Sequence, residues 1–214
     1  MNIDVFRRIS YGVYIVSAMD GDRPTGCVAN SIMQITAVPA TIAISMNRDN
    51  FTTSCIEKEE KFAIMILGET VDSSLIGTFG YQSGRDIHKF DNISYKMVDD
   101  LPVLEDTCGY LICKVVDKME ASTHTVYLAQ VVDGDVCQID ENQMTYDYYH
   151  KVLRGSSPKN APTYIAPSED NEEQKDEEFH YVCQVCQYEY VGKEMPIDYK
   201  CPICGQGPDK FKRV

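Results

Sequence analysis

Apolar positions in the first two-thirds of the chain cluster into short β-branched runs separated by polar turns, the punctuation of strands. "GVYIVSAMDGDRPTGCVANSI" reads as a strand, a polar turn around Gly21 and a second strand, and "ATIAISM" as another. "NRDNFTTSCIEKEEKF" carries helix signals instead: Asn50, Thr52 and Thr53 are candidate caps, and Ser54 to Glu57 has capping-box spacing. "FAIMILGE" returns to strand, and "GYLICKVVDKMEASTHTVYLAQVVDGDVCQI" forms two long strands about a polar middle, a hairpin. Many strands and few helices favour a sheet closed into a barrel over a doubly wound one.

Charge divides the chain. The stretch "SEDNEEQKDEE" (Ser168–Glu178) sets seven acids against Lys175 and cannot bury apolar surface, so a solvated, self-repelling linker is expected between a domain over 1–167 and a small one over 179–214. It accounts for −6 of the net −13; the tail beyond it carries +1, leaving −8 on the larger part. Nucleic-acid binding needs a basic stripe, and the sequence has none. No apolar run approaches the roughly 20 residues of a membrane span, and the N-terminus, two arginines followed by polar and acidic breaks, does not read as a secretion signal.

Nine cysteines sharpen this picture. Cys27, Cys55, Cys108, Cys113 and Cys137 are scattered and read as free buried thiols, which fits a reducing, cytoplasmic setting. Cys183, Cys186, Cys201 and Cys204 form two CxxC pairs, each able to grip one tetrahedral ion from a tight turn. All-thiolate tetrahedral geometry suits both zinc and iron. Tyr181, Tyr188, Tyr190, Tyr199 and Phe211 would supply a small aromatic core around the site.

"YVCQVCQYEY" and "YKCPICGQGPDKF" together resemble rubredoxin, the electron carrier with one iron in four cysteine thiolates. Gln187 stands where rubredoxins usually have glycine, while Gly205 fills the equivalent place in the second knuckle. A one-electron iron centre fed by nicotinamide, which gives two electrons at once, needs a flavin as converter. No GxGxxG follows a strand and no P-loop is present, so a nucleotide must be held in another way. "GCVANSIMQITAVPATIAISMNRDNFTTSCIEKEEKFAIMILGE", "SGRDIHKF", "CGYLICKVV", "THTVYLAQVVD" and "YYHKVLRGSSPKNAPTY" resemble, in order, the flavin reductase-like FMN-binding split barrel. Followed by the tail, the whole is similar to high-molecular-weight rubredoxins. That resemblance implies a β-rich α+β protein with a split β-barrel and a rubredoxin-like domain. It also implies FMN, one iron, NADH or NADPH as reductant, a flavodiiron oxygen or nitric oxide reductase as acceptor, and a homodimer.

The resemblance also implies roles. Asn30, Ser31 and Ile32 would lie along the isoalloxazine. Asn47, Arg48, Thr52 and Thr53 would cradle the phosphate at a helix start. Lys89 would bring a positive charge to the ring edge or phosphate, Tyr164 would cover the flavin, and His124 would sit where nicotinamide stacks. Taken singly, each has a plainer role: a turn asparagine, helix-capping threonines, a surface lysine, a structural histidine. Two other functions use the same features. One is a flavin reductase releasing free reduced FMN, with a zinc-braced tail; the other is a non-enzymatic zinc-ribbon binding module.

Overall fold

A computed structural model describes residues 3–137, 140–155, 161–164, 179–192 and 195–214. The acidic stretch 168–178 lies outside them. Seven antiparallel strands make the main sheet: β1 (Tyr14–Asp20), β2 (Arg23–Ala29), β3 (Ile32–Ala37), β4 (Ala40–Asn47), β5 (Lys61–Ile66), β8 (Gly109–Glu120) and β9 (His124–Val136), in the order β2-β1-β5-β8-β9-β4-β3. β6 (Tyr95–Val98) and β7 (Leu101–Leu104) form a separate hairpin. Gly21 joins β1 to β2 with φ near +61°, the left-handed conformation such a two-residue turn needs.

The sheet curls. β2 and β4 lie five strand spacings apart, about 24 Å if flat, yet Cys27 of β2 shares one buried cluster with Ile42, Ile44 and Met46 of β4. Helix α1 (Phe51–Glu59) closes this interior with Cys55 and Ile56, both fully buried. The edge strands are β2 and β3, consecutive in the chain but not paired with each other, so the barrel is split there. β5 explains its unbroken apolar run by burying both faces: Phe62 and Ile64 point inward, Ala63 and Met65 outward.

A second core covers the outer face. Ile15, Ala63, Met65 and Ile112 of the sheet pack with Ile76 and Phe79 of α2 (Ser73–Tyr81), with the β6–β7 hairpin, and with Tyr149 of α3 (Tyr146–Lys151). Cys183, Cys186, Cys201 and Ile203 belong to the same cluster, so the tail shares a core with the barrel. The tail folds as a three-stranded sheet, β11 (Glu189–Gly192), β10 (Phe179–Cys183), β12 (Phe211–Arg213). Its aromatic rings run in contact from Tyr181 through Tyr190 and Tyr199 to Phe211.

The expected start of α1 needs correction. Asn50 alone caps α1, accepting from the Thr52 N–H at 2.9 Å; Ser54 and Glu57 lie within the helix, where Glu57 pairs with Lys118 and Tyr127. Helix α2 (SSLIGTFGY) is capped by Asp72 accepting from the Ser74 N–H.

Candidate functional site

A cavity of about 320 Å³ lies between β2, the ends of β4 and β9, the N-terminus of α1, α2 and α3. The β4–β9 register sets Asn47 opposite His124 at its rim. Residues 161 and 162 line the remaining side, tied down by Asn30 Nδ2 donating to Thr163 Oγ1 (2.8 Å), which in turn donates to the Tyr146 hydroxyl (3.0 Å).

Lys89 is the feature that asks for a ligand. It is 3% exposed, lines the cavity and donates to the Phe79 carbonyl at 3.0 Å, with no carboxylate paired to it among the described residues. Burial pulls its pKa down to about 8, with only the Cys27 thiol acting the other way. A buried cation without a counter-charge is costly and becomes favourable when an anion arrives. Arg85 reaches the same cavity from the loop after α2, lying over the Phe51 ring and donating to the Asp49 carbonyl. The N-terminus of α1, at Asn50 and Phe51, adds its partial positive charge. Buried His124 Nε2 has no hydrogen-bond partner among the described residues, and burial lowers the ring's pKa, favouring the neutral imidazole. A planar ring with an anionic tail fits these donors.

The second site is the cysteine cluster. All four Sγ atoms lie within 4.8 Å of one another, with Cys186–Cys201 at 3.3 Å and Cys183–Cys204 at 3.6 Å. A tetrahedron with metal–sulfur bonds of about 2.3 Å has edges of about 3.8 Å, so one ion fits. The two knuckles repeat the same backbone turn. Gln187 and Gly205 N–H groups donate to the Cys183 and Cys201 carbonyls, and Cys183 and Cys201 N–H groups to the Tyr188 and Gln206 carbonyls. Gln187 takes φ +61° where Gly205 takes +69°. The Cys201 thiol is drawn well below its usual range, first by Cys186 and then by the backbone N–H groups of Cys204 and Ile203. Those donors would stabilise thiolate on a metal.

A profile described as "Flavin reductase like domain" matches residues 6–155. The chain belongs to the flavin reductase-like family. A second, "Rubrerythrin, rubredoxin-like domain", matches residues 181–212 of this flavin reductase-like protein. The chain is 37% identical to the high molecular weight rubredoxin of Moorella thermoacetica over the full length of both, and 31% identical to a ferric-chelate reductase (NAD(P)H) of Archaeoglobus fulgidus over 77% of this chain and 98% of that one. A putative flavin reductase from Haemophilus somnus shares the fold at TM-score 0.61 and 20% identity, covering 67% of this chain and 90% of that one. The flavin reductase-like fold binds FMN, usually reduced by NADH or NADPH, and a rubredoxin-like four-cysteine domain binds iron; this chain is an oxidoreductase of that family.

Of the residues singled out in the sequence, Asn30, Asn47, Lys89 and His124 line the cavity. Ser31 donates to the Asn30 side chain, and Ile32 packs against the barrel interior. Arg48 pairs with Glu120 at 3.2 Å. Thr52 and Thr53 are buried behind the cavity wall, Thr53 donating to the Asn47 carbonyl at 2.7 Å. Tyr164 closes a turn onto the Ala161 carbonyl. Arg85 was not singled out; its signal lay in "SGRDIHKF", four residues before Lys89.

Proposed function

We propose that this chain is an NAD(P)H-dependent electron-transfer flavoprotein: FMN in the cavity takes hydride and passes single electrons to iron in the four cysteines. The electrons then go to a partner metalloprotein such as a flavodiiron oxygen or nitric oxide reductase. The observation that carries this reading is the shared core. Cys183, Cys186 and Cys201 are buried in one cluster with Val13, Ile76, Phe79 and Tyr149, all four of which line the cavity. A zinc brace for a separate module has no need of such proximity.

In this reading Lys89, Arg85, Asn47 and the start of α1 hold the anionic part of FMN. His124, favoured in its neutral form by burial, stands at the rim, where it can orient the nicotinamide. Exposed apolar residues on β3 (Met33, Ile35) and on the ends of β8 and β9 (Val116, Met119, Val132) support a homodimer, a second copy covering them. The division near residues 167 and 179 is part of the same proposal.

The test is an anaerobic visible spectrum of the purified protein before and after excess NADH, repeated with NADPH. Flavin and ferric-thiolate bands that both bleach are expected. Flavin bleaching alone would make the tail a zinc brace on a plain flavin reductase, and a colourless, metal-replete protein would exclude electron transfer.

A further inference from the structure

Gly77 has no local reason to stand in the middle of α2. A glycine there costs the helix about 1 kcal/mol relative to alanine, and Asp72 and the helix's apolar residues carry no demand for it. The demand comes from across an interface. A Cβ at Gly77 would stand 2.7 Å from the Ile203 carbonyl oxygen and 2.8 Å from the Cys204 Cα, nearer than such atoms approach. Cys204 is one of the four clustered thiols. On the same helix Ile76, Phe79 and Gly80 line the cavity. One nine-residue helix therefore lines the cavity and, at Gly77 about 100° further round, has the backbone of a metal ligand pressed onto it with no side chain between.

The rest of the contact agrees. Ser73 donates to the Pro202 carbonyl at the first turn of α2. Ile203, a large apolar residue on the metal loop, is only 1% exposed. Beside the helix, the hydroxyls of Tyr81 and Tyr149 meet at 3.0 Å, and both rings line the cavity.

We propose that α2 is the docking surface for the metal loop of its own chain, that electrons cross from flavin to iron through it, and that Gly77 is the positioning residue that keeps the gap to about one helix width. That width is about 10 Å, and tunnelling falls exponentially with distance, so a side chain wedged between helix and loop slows transfer steeply. This rests on the electron-transfer reading above. The balance is simple. Hydride from the nicotinamide adds two electrons and a proton to the flavin. One electron then reduces ferric to ferrous iron, and the second follows once the iron has passed the first to a one-electron acceptor. The flavin's protons leave to solvent, and no bond to the protein forms or breaks.

The test uses full-length protein loaded with FMN and iron. Gly77→Leu places bulk at the contact while favouring the helix, and Ile203→Lys attacks the same contact from the metal loop. Both variants are expected to keep FMN and a wild-type rate of flavin bleaching by NADH, while iron bleaching in stopped flow slows at least tenfold. Solution X-ray scattering should show a larger radius of gyration, and the amides of residues 73–81 should exchange hydrogen faster. Iron that bleaches equally fast in wild type and both variants overturns the route, as does unchanged scattering and exchange. If Gly77→Leu fails to hold FMN, Ile203→Lys, which leaves the barrel sequence intact, decides alone. A wild-type protein whose flavin bleaches and whose iron never does overturns the electron-transfer reading itself, and the route with it.

Discussion

Lys89 shows what a single residue can and cannot announce. In sequence it is one lysine after a histidine; in the fold it is 3% exposed, without a carboxylate partner among the described residues, its pKa drawn to about 8 by burial. Because the folded value lies below the ordinary 10.5, the unfolded chain binds more protons between about pH 8 and 10.5. Lys89's own contribution to the stability of the FMN-free chain is therefore lowest below pH 8 and rises with pH through that window, by on the order of 3 kcal/mol. An anion beside Lys89 reverses the preference by favouring the charged form. FMN affinity should be full below pH 8 and weaken as pH rises through it, in titrations followed by flavin fluorescence. Lys89→Met should flatten that profile, weaken FMN at least tenfold, as loss of a charge-assisted contact implies, and raise the melting temperature of the FMN-free chain. A profile unchanged by the substitution would remove Lys89 from the anion site. Arginine teaches the complementary lesson. Arg48 sits in the motif at the helix start but pairs with Glu120, seventy-two positions away, whereas Arg85 reaches the cavity. Nothing local tells a long side chain which way to turn.

Among elements, legibility followed how local the determining contacts were. α1 carries its own start signal, since Asn50 accepts the Thr52 N–H from within the same turn. The long hairpin of β8 and β9 shows in sequence because its two apolar runs pair with each other. α2 does not show, because Ser73, Ser74, Gly77, Thr78 and Gly80 make most of its nine residues weak helix formers, and its place is set by what Ile76, Phe79 and Gly77 meet in the fold. Asp72 was the one available signal. The metal knuckles show in sequence because each places two thiols on a single turn, and one of them holds a local flaw. Gln187 occupies φ +61°, a conformation that costs a side-chain-bearing residue roughly 1 kcal/mol or more and glycine nothing. Its amide also reaches the Cys183 carbonyl only at 3.4 Å. Gln187→Gly should therefore stabilise the metal-loaded tail by about 0.5–1 kcal/mol, seen as a rise of a few degrees in the temperature at which iron–thiolate absorbance is lost. A fall would mean that the glutamine's hydrogen bond outweighs its backbone strain.

For the whole molecule, the tail is held from two directions, by its metal and by the barrel. A small domain with four cysteines for a centre has little core of its own, so metal binding and folding are coupled. Ile203 and the buried cysteines also extend the outer core of the barrel. Stripping the metal should melt β10–β12 and, because that core is shared, lower the barrel's own melting temperature by several degrees in calorimetry of the full chain. A barrel transition unmoved by metal removal would mean that the two parts fold independently.

The sequence by itself determined the four ligands, the strand-rich barrel and its family, and the presence of two redox-competent parts. These depend on spacings of three residues, on alternating apolar runs and on turn chemistry, all written within a few positions of one another. Only the tertiary structure decided that Lys89 is a buried, uncompensated charge and that one helix separates the cavity from a metal ligand. The cavity draws on residues from Val13 to Pro162, and the ligand contact joins Gly77 to Cys204. Such proximities arise from how the sheet curls and where the tail docks. They follow from packing the whole chain at once, and no local pattern encodes them.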